Sequence, residues 1–556
     1  MAVADQFLSS ILQFLKRKDA LQLQAFFRVE PPLPEEFTQL GLELKTAWTN
    51  SKSLEQYIEN ALPFTDDDNT DEGGAWPGFL AFVQSYFEFW RDVNFEDLLR
   101  THLQLTTLII SCNTAMSNAS YGTVMLPTAI QLCTALAKLA MTLDKMPHLT
   151  QKVAKVKDVE AGEKKTLVEG SAETIQRAFT LCLNERTPSK NGIGRDGQPE
   201  GKKIGIYSFA NLVLRLLFKS RKTALAKQLF TNTANQSPPL GLYPAAQRVT
   251  YLYYLGRYHF ATGHFYFAQS CLQSAYDQCH AQCIRQRRAI IIHLLSANMI
   301  LGRFPSQKFM SRPEADIVAR FLPIAYAIRK GDMIAFKQAL GPEAGNERFF
   351  FHHGVYLQLV SRCEVLVWRS LARRVFLLTY KFPWNPDSKK APTLSLADMV
   401  AAVQFCQKLL EGWHKPVDPM TFMQSGRTHP NSQFMKPPDL KPPLQGRKIL
   451  FAGQGMIFGN KVPDLINVES ILASLVQQGL LHGFISHTQG KFAIIGSKQK
   501  GGPLPAGFPP VWETLRARAE AENRTDECPG WVQKAKDLSL GGVVNLAGAR
   551  PAGDNG

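Results

Sequence analysis

No stretch of this 556-residue chain approaches the roughly 20 uninterrupted apolar residues that a membrane span requires. The nearest, Phe79 to Trp90, is broken by Gln84, Ser85 and Glu88. The first twenty residues place Asp5 early and Lys16-Arg17-Lys18 late, the reverse of the charged-then-apolar order of a secretory leader. A soluble intracellular protein is therefore expected, with no membrane partner. The cysteines (Cys112, Cys133, Cys182, Cys271, Cys279, Cys283, Cys363, Cys406, Cys528) are nine, odd in number and scattered, so no disulfide framework is expected. Reduced and mostly buried thiols follow.

The motifs of catalysis are also missing. A phosphate loop needs glycine five residues before its Gly-Lys-Ser/Thr, yet Gly201-Lys202 has Asp196 there and Lys203 in place of the hydroxyl. Gly453-Gln454-Gly455 with Gly459 misses the dinucleotide spacing. Cys279 and Cys283 could offer two zinc ligands, but a structural site needs four and no second pair has suitable spacing, so helix-face cysteines are expected. His352-His353 has no carboxylate partner on the same helical face. No Gly-x-Ser-x-Gly elbow occurs. No catalytic residue, cofactor or metal is assigned, and an enzyme is not expected.

What is present is charge, unevenly placed. The net charge is +16, but residues 1–110 hold 8 Lys/Arg against 17 Asp/Glu, a balance of −9. Residues 285–390 hold 18 Lys/Arg against 7 Asp/Glu, a balance of +11. The asymmetry fits a footprint for nucleic acid or an acidic partner, and equally a solvated basic face.

Helical periodicity dominates. Residues 4–60 show it on both sides of a break at Pro31-Pro32-Leu33-Pro34, and Phe79–Phe89, Phe95–Ile110 and Leu126–Leu143 continue it. Residues 187–203 read as a flexible loop. From Ile204 to about Leu340, helix pairs recur at a spacing of roughly 35 to 45 residues, as in an α-solenoid. The clearest unit, Tyr251 to Ala268, places small Gly256 and Ala261 among aromatic residues; it resembles a tetratricopeptide pair and equally a plain helical hairpin. Ser306 to Ala339 supplies another unit, with Gly331 between its helices.

Near the carboxyl end, Val468, Ile471, Leu472, Leu475 and Val476 form one helical stripe, and Gly479 sits where a left-handed cap is needed. Phe484-Ile485-Ser486 and Lys491 to Ile495 flank Thr488-Gln489-Gly490 as two strands around a tight turn. Helix followed by hairpin is a winged-helix signature. The expected organisation is an acidic helical region 1–110, a helical start of the solenoid 111–186, the loop 187–203, repeats 204–380, a winged-helix module 381–500 with a proline-rich insertion 414–447, and a mostly disordered tail 501–556 carrying one helix from Trp512 to Glu522.

The order of parts resembles the PCI domain shared by proteasome lid, signalosome and translation-initiation complexes. Arg288 to Leu295, Leu301 to Ser306, Ala327 to Asp332 and Phe351 to Phe376 resemble one branch of that family. This branch holds the PCI subunit of the nuclear transcription-and-export complex and the signalosome-subunit-twelve-like proteins. The resemblance covers about residues 172–496 and implies a mostly α, right-handed solenoid of helical-repeat pairs ending in a winged helix, with a flexible tail. It further implies a non-enzymatic scaffold in the nucleus, at the nuclear periphery, reaching the nuclear pore basket indirectly. Its winged helix would pair with a larger PCI-containing scaffold, clasped by a small acidic disordered subunit, to form a basic platform for RNA or DNA without sequence preference. The alternative is a signalosome-like or splicing-linked assembly acting only through protein contacts. Candidate nucleic-acid contacts are Arg369, Arg373, Arg374, Lys381, Lys389 and Lys390 before the module, Arg447, Lys448 and Lys461 bordering its later helix, and Lys491, Lys498 and Lys500 on the wing. The same side chains could instead pair with acidic residues of partners.

Overall fold

The computed structural model describes residues 2–31, 34–48, 51–62, 76–146, 148–149, 166–186, 192–341, 345–381, 390–414 and 440–521. It is a mostly α-helical solenoid with one small sheet. The chain divides into two compact units, residues 1–258 and 259–556.

The first unit holds α1 (Ala2–Lys16), α2 (Ala20–Phe26), α3 (Glu35–Ala47), α4 (Ser51–Ala61), α5 (Pro77–Asp92), α6 (Leu98–Met116), α7 (Leu126–Leu143), α8 (Leu167–Leu183), α9 (Ile206–Lys219), α10 (Ala226–Gln236) and most of α11 (Ala245–Thr262). Local chemistry sets the helix starts. Pro77 opens α5, Asp97 accepts the Arg100 N–H at the start of α6, and Thr166 and Glu169 form a reciprocal capping box on α8. Neighbours in sequence then pack on one another, α5 on α6, α6 on α7, and α8 on α9.

An aromatic cluster fills the N-terminal end of this unit. Phe27 lies edge-on to Phe82 and to Tyr86, both at 4.9 Å between ring centres, and the Tyr86 hydroxyl donates to Arg28 O at 2.8 Å. Gly122–Leu143, which contains α7, is long and apolar enough to cross a membrane by length and composition alone. Leu132, Leu136, Ala140 and Leu143 are nevertheless buried, and α7 packs on α6, α8 and α9 as a core helix does.

The expected flexible loop 187–203 is corrected over the part described. Residues 192–203 form a compact turn in which Lys202 and Lys203 are buried; Lys203 Nζ donates to Leu183 O, and Lys202 meets Glu185. Polar residues alone looked like loop because their partners are distant in sequence. Cys112, Cys133 and Cys182 are buried, and burial pushes Cys112 and Cys182 up to about 12, so these thiols are inert.

The second unit continues with α12 (Phe265–Gln278), α13 (Ile284–Ile300), α14 (Val318–Lys330), α15 (Met333–Leu340), α16 (Glu347–His352) and the long α17 (Tyr356–Thr379). The break between α11 and α12 falls at Gly263, whose φ is +88°. Cys279 and Cys283 cap α12 and α13 at either end of a turn; Cys283 is exposed, which corrects the expectation of two thiols on one helix face. Gly331 ends α14 in the left-handed region, where a Cβ would sit 2.4 Å from Leu371 N of α17, so only glycine fits. The segment 302–317 is held to α12 and α13 by a buried knot. Glu314 accepts from Tyr276 Oη at 2.5 Å and from Arg287 Nε at 2.8 Å. Burial would raise the Glu314 carboxyl, but these two donors more than offset it and hold it below its ordinary range.

After α17 come β1 (Thr393–Ser395), α18 (Leu396–Leu410), α19 (Leu465–Gln477), β2 (Gly483–Ser486), β3 (Lys491–Ile494), α20 (Pro503–Gly507) and α21 (Val511–Ala521). The strands form an antiparallel sheet in the order β1-β3-β2, with Leu394 opposite Phe492 and Ile485 opposite Phe492 from the other side. That is the sheet of a winged helix. The expected helix from Trp512 to Glu522 is present as α21, and residues 522–556 of the expected tail lie outside the described residues.

Candidate nucleic-acid and partner interface

The winged-helix module is built around a small core of Leu394, Leu396, Met399, Val403, Val468, Leu472, Leu475, Phe492 and Ile494, all buried. Of the stripe read from the sequence, Val468, Leu472 and Leu475 turn inward, while Ile471 and Val476 are half-buried at its edge. Gly479 adopts φ +73° after α19 and lets the chain turn into β2. At the wing, His487 lies 2.9 Å from Glu469 of α19, joining the hairpin tip to the helix.

The candidate basic residues fall into separate groups. Arg373, Arg374 and Lys381 are exposed at and beyond the carboxyl end of α17. Lys390 precedes Pro392, whose carbonyl accepts from Ile494 N at 2.9 Å, so it lies at the exit end of β3, where Lys498 and Lys500 follow. Lys491 begins β3 at the opposite, wing-tip end. Arg447, Lys448 and Lys461 are exposed on the loop before α19, where Asn460 bridges the strands of the loop by donating to Lys448 O and accepting from Leu450 N. Lys389 lies outside the described residues.

Arg369 is a correction to the nucleic-acid set. Its guanidinium donates to Leu480 O at 3.2 Å, Phe508 O at 3.0 Å and Pro509 O at 2.5 Å. Burial, reinforced by nearby Arg373, lowers its pKa to about 10. Arg369 and Arg373 do lie one turn apart on α17, but the shared face runs from buried to exposed. Arg369 therefore holds α17 to the turn after α19 and to the segment after α20, with Nε and Nη2 committed to backbone carbonyls.

The helix that a winged-helix protein would insert in a groove, α19, has no Lys or Arg in its thirteen residues. Its exposed positions are Leu465, Ile466, Ser470, Ala473, Ser474 and Gln477. Such a face can pack against protein, and without a cation it cannot neutralise phosphates; its only hydrogen-bonding side chains are Ser470, Ser474 and Gln477.

One feature escaped sequence reasoning. Residues 447–463 form an ordered loop stapled to α18 by Gln407, which is 2% exposed. Its amide donates to Gly459 O at 2.9 Å and accepts from Met456 N at 2.7 Å; Lys448 N donates to Glu411 O at 3.0 Å. Lys337 of α15 adds a bond to Gly453 O at 2.8 Å. The loop thereby displays Ile449, Phe451, Phe458 and Val462, and Ile466 of α19 is also exposed. Large apolar side chains held out on a fixed frame mark an association surface. The run Ile449-Leu450-Phe451 was a visible signal, but its exposure depends on Gln407, more than forty residues upstream.

Among the described residues, no group of three or more His, Cys, Asp or Glu side chains could hold a metal ion.

No family model matches the chain. Comparison with known proteins finds a PCI domain-containing protein of Schizosaccharomyces pombe, 25% identical over 72% of this chain and 83% of that relative. A CSN12 homolog of Neurospora crassa is 31% identical over 39% of this chain and 45% of its own length. PCI domain-containing protein 2 of Danio rerio is 28% identical over 39% of this chain and 51% of its own length. The last two matches thus span about half of each relative. The chain is related to PCI-domain proteins, signalosome-subunit-twelve-like ones among them, as its own motifs indicated.

Proposed function

We propose that this relative of PCI-domain proteins is a non-enzymatic scaffold subunit of a nuclear mRNA-export complex. The winged-helix module pairs with a larger PCI-containing subunit through α19 and the loop 447–463, and a small acidic subunit lies along the loop's basic margin. RNA or DNA is held by the exposed cations at the end of α17 and around the sheet, without sequence reading. The observation that carries this division of labour is the chemistry of α19: a groove-inserted helix draws on cations to hold phosphates, and this one has no Lys or Arg and exposes Leu465, Ile466 and Ala473 beside two serines and Gln477. Partner docking is thereby assigned to α19 and its neighbouring loop, and phosphate binding to Arg373, Arg374, Lys381, Lys390, Lys498 and Lys500.

The second reading, a signalosome-like or splicing-linked subunit that binds protein alone, is favoured by the relationship to CSN12 homologs. Two measurements separate them. Affinity purification should recover export factors and nuclear-pore basket proteins; recovery of a deneddylase or a splicing-linked PCI partner instead sinks the first reading. Nucleic-acid binding by the chain with its partner should weaken steeply between 50 and 200 mM salt. Reversal of Arg373, Arg374 and Lys381 to glutamate should lower affinity by about tenfold or more. Unchanged binding would remove RNA and DNA from the proposal and leave the protein-only scaffold.

A further inference from the structure

We infer that the groove between α6 and α8 is a binding site for a peptide segment bearing a carboxylate. It lies within the first unit and has no part in the function proposed above. The cavity is about 930 Å³, within the size range of ligand pockets and several times the volume of one side chain.

Helix geometry makes it a continuous trough. Ile110, Thr114 and Ser117 recur along one face of α6 and its cap, and Glu173, Arg177, Thr180 and Asn184 along one face of α8. The eleven steps from Glu173 to Asn184, at about 1.5 Å each, give roughly 16 Å, the length of about five extended residues.

The charges choose the occupant. Glu185 is already engaged, accepting the Lys202 backbone N–H at 2.5 Å and facing Lys202 Nζ at 3.6 Å, while Lys202 Nζ also donates to Asn118 O at 2.9 Å. Arg177 and Arg186 are exposed at the groove and form no ion pair or hydrogen bond among the described residues. With Lys202 spent on Glu185 and Asn118, Arg177 and Arg186 are the groove cations open to an anion. A carboxylate carries one charge and presents two oxygens to the paired donors of a guanidinium.

The remaining wall suits a peptide. Thr114, Ser117 and Thr180 spend their hydroxyl protons on Ile110 O, Thr114 O and Gln176 O, so they can only accept, as peptide N–H groups require. Ile110, 42% exposed, and Leu181 offer apolar contact beside the cations. An acidic residue or a chain terminus next to an aliphatic side chain matches this arrangement.

The test is selection from a random octapeptide library by the full chain, run with free and with amidated carboxyl ends. Wild type and the distant exposed-site variant Lys227→Glu should enrich peptides with Asp or Glu near aliphatic residues. The double variant Arg177→Glu/Arg186→Glu should bind those peptides about tenfold more weakly or worse. Enrichment confined to free ends identifies a terminal carboxylate; enrichment in both forms identifies a side-chain carboxylate. Failure of wild type to enrich acidic peptides, or their retention by the double variant, overturns the site. If the double variant melts early, Arg177→Gln/Arg186→Gln is read in its place, with the same two outcomes.

Discussion

Phe27, Phe79, Phe82, Tyr86 and Phe87 of the N-terminal helices are buried to the last atom or nearly so, whereas Ile449, Phe451, Phe458 and Ile466 of the winged-helix module stand between 64% and 87% exposed. Both regions are rich in large apolar side chains, and only the first uses them on itself. Removing such groups from water is worth about 25 cal/mol per Å², so the aromatic cluster is where internal stability concentrates. The module leaves the same kind of surface exposed and relies on hydrogen bonds of Gln407 and Arg369 to hold its frame. The lesson is that apolar content does not locate the core; the polar groups that fix the backbone decide which apolar side chains can face inward.

The sharpest way to break this comparison is Phe27→Ala. It should cost about 3–5 kcal/mol in urea unfolding, because the surrounding rings cannot all close on the cavity. A loss below about 1 kcal/mol would show that the cluster is loosely packed and erase the contrast.

Arg369→Ala should cost on the order of 3 kcal/mol, since it leaves the carbonyls of Leu480, Phe508 and Pro509 without their charged donor. Amide exchange should rise in α19 through β3. Arg369→Lys should restore little, because one ammonium cannot reproduce the planar fork.

His102 sharpens the comparison through pH. Burial lowers its pKa to about 4, and Nε2 lies 2.8 Å from Ser171 Oγ. The unfolded chain takes up this proton first, near pH 6.5, so the stability due to the neutral ring is complete above that value. It declines as pH falls and is gone below about 4, a change of up to about 3 kcal/mol. His102→Gln should flatten that limb of a stability-against-pH curve; an unchanged limb would reassign it to carboxylates such as Glu314.

Gln407→Ala should cost about 1–3 kcal/mol, with faster exchange at Met456 N–H and mobility confined to 447–463. The smallest stability effect is expected for Phe451→Ser, within about 0.5 kcal/mol, because its ring is already in water. Association with the PCI-containing partner should fall by about tenfold or more if the ring is central to that interface. Destabilisation without loss of association would reverse the roles assigned to the two regions.

Much of the helical framework was legible because its signals are local. Leu126 to Leu143 repeats apolar residues with helical spacing and forms α7 over that range, and Gly331 and Gly479 stand at left-handed turns where no other residue fits well. The hairpin Phe484 to Ile494 was readable for the same reason. Less of the candidate site was legible. Arg369 and Arg373 are both arginines on one helix, and nothing within a few residues of either says that one meets carbonyls 111 to 140 positions away while the other meets solvent. Lys202 and Lys203, in a polar stretch that reads as loop, are buried for a like reason.

Periodicity, capping and turn chemistry act over one to four residues, so the sequence alone determined a mostly helical chain, its repeated pairs and the closing winged helix. Burial of a charge, the pairing of β1 with β3 across nearly a hundred residues, and the exposure of Ile449 and Phe451 depend on which distant carbonyls and amides come within about 3 Å. Those distances exist only in the folded chain, and they alone decided which arginine is structural and which apolar surface is left for a partner.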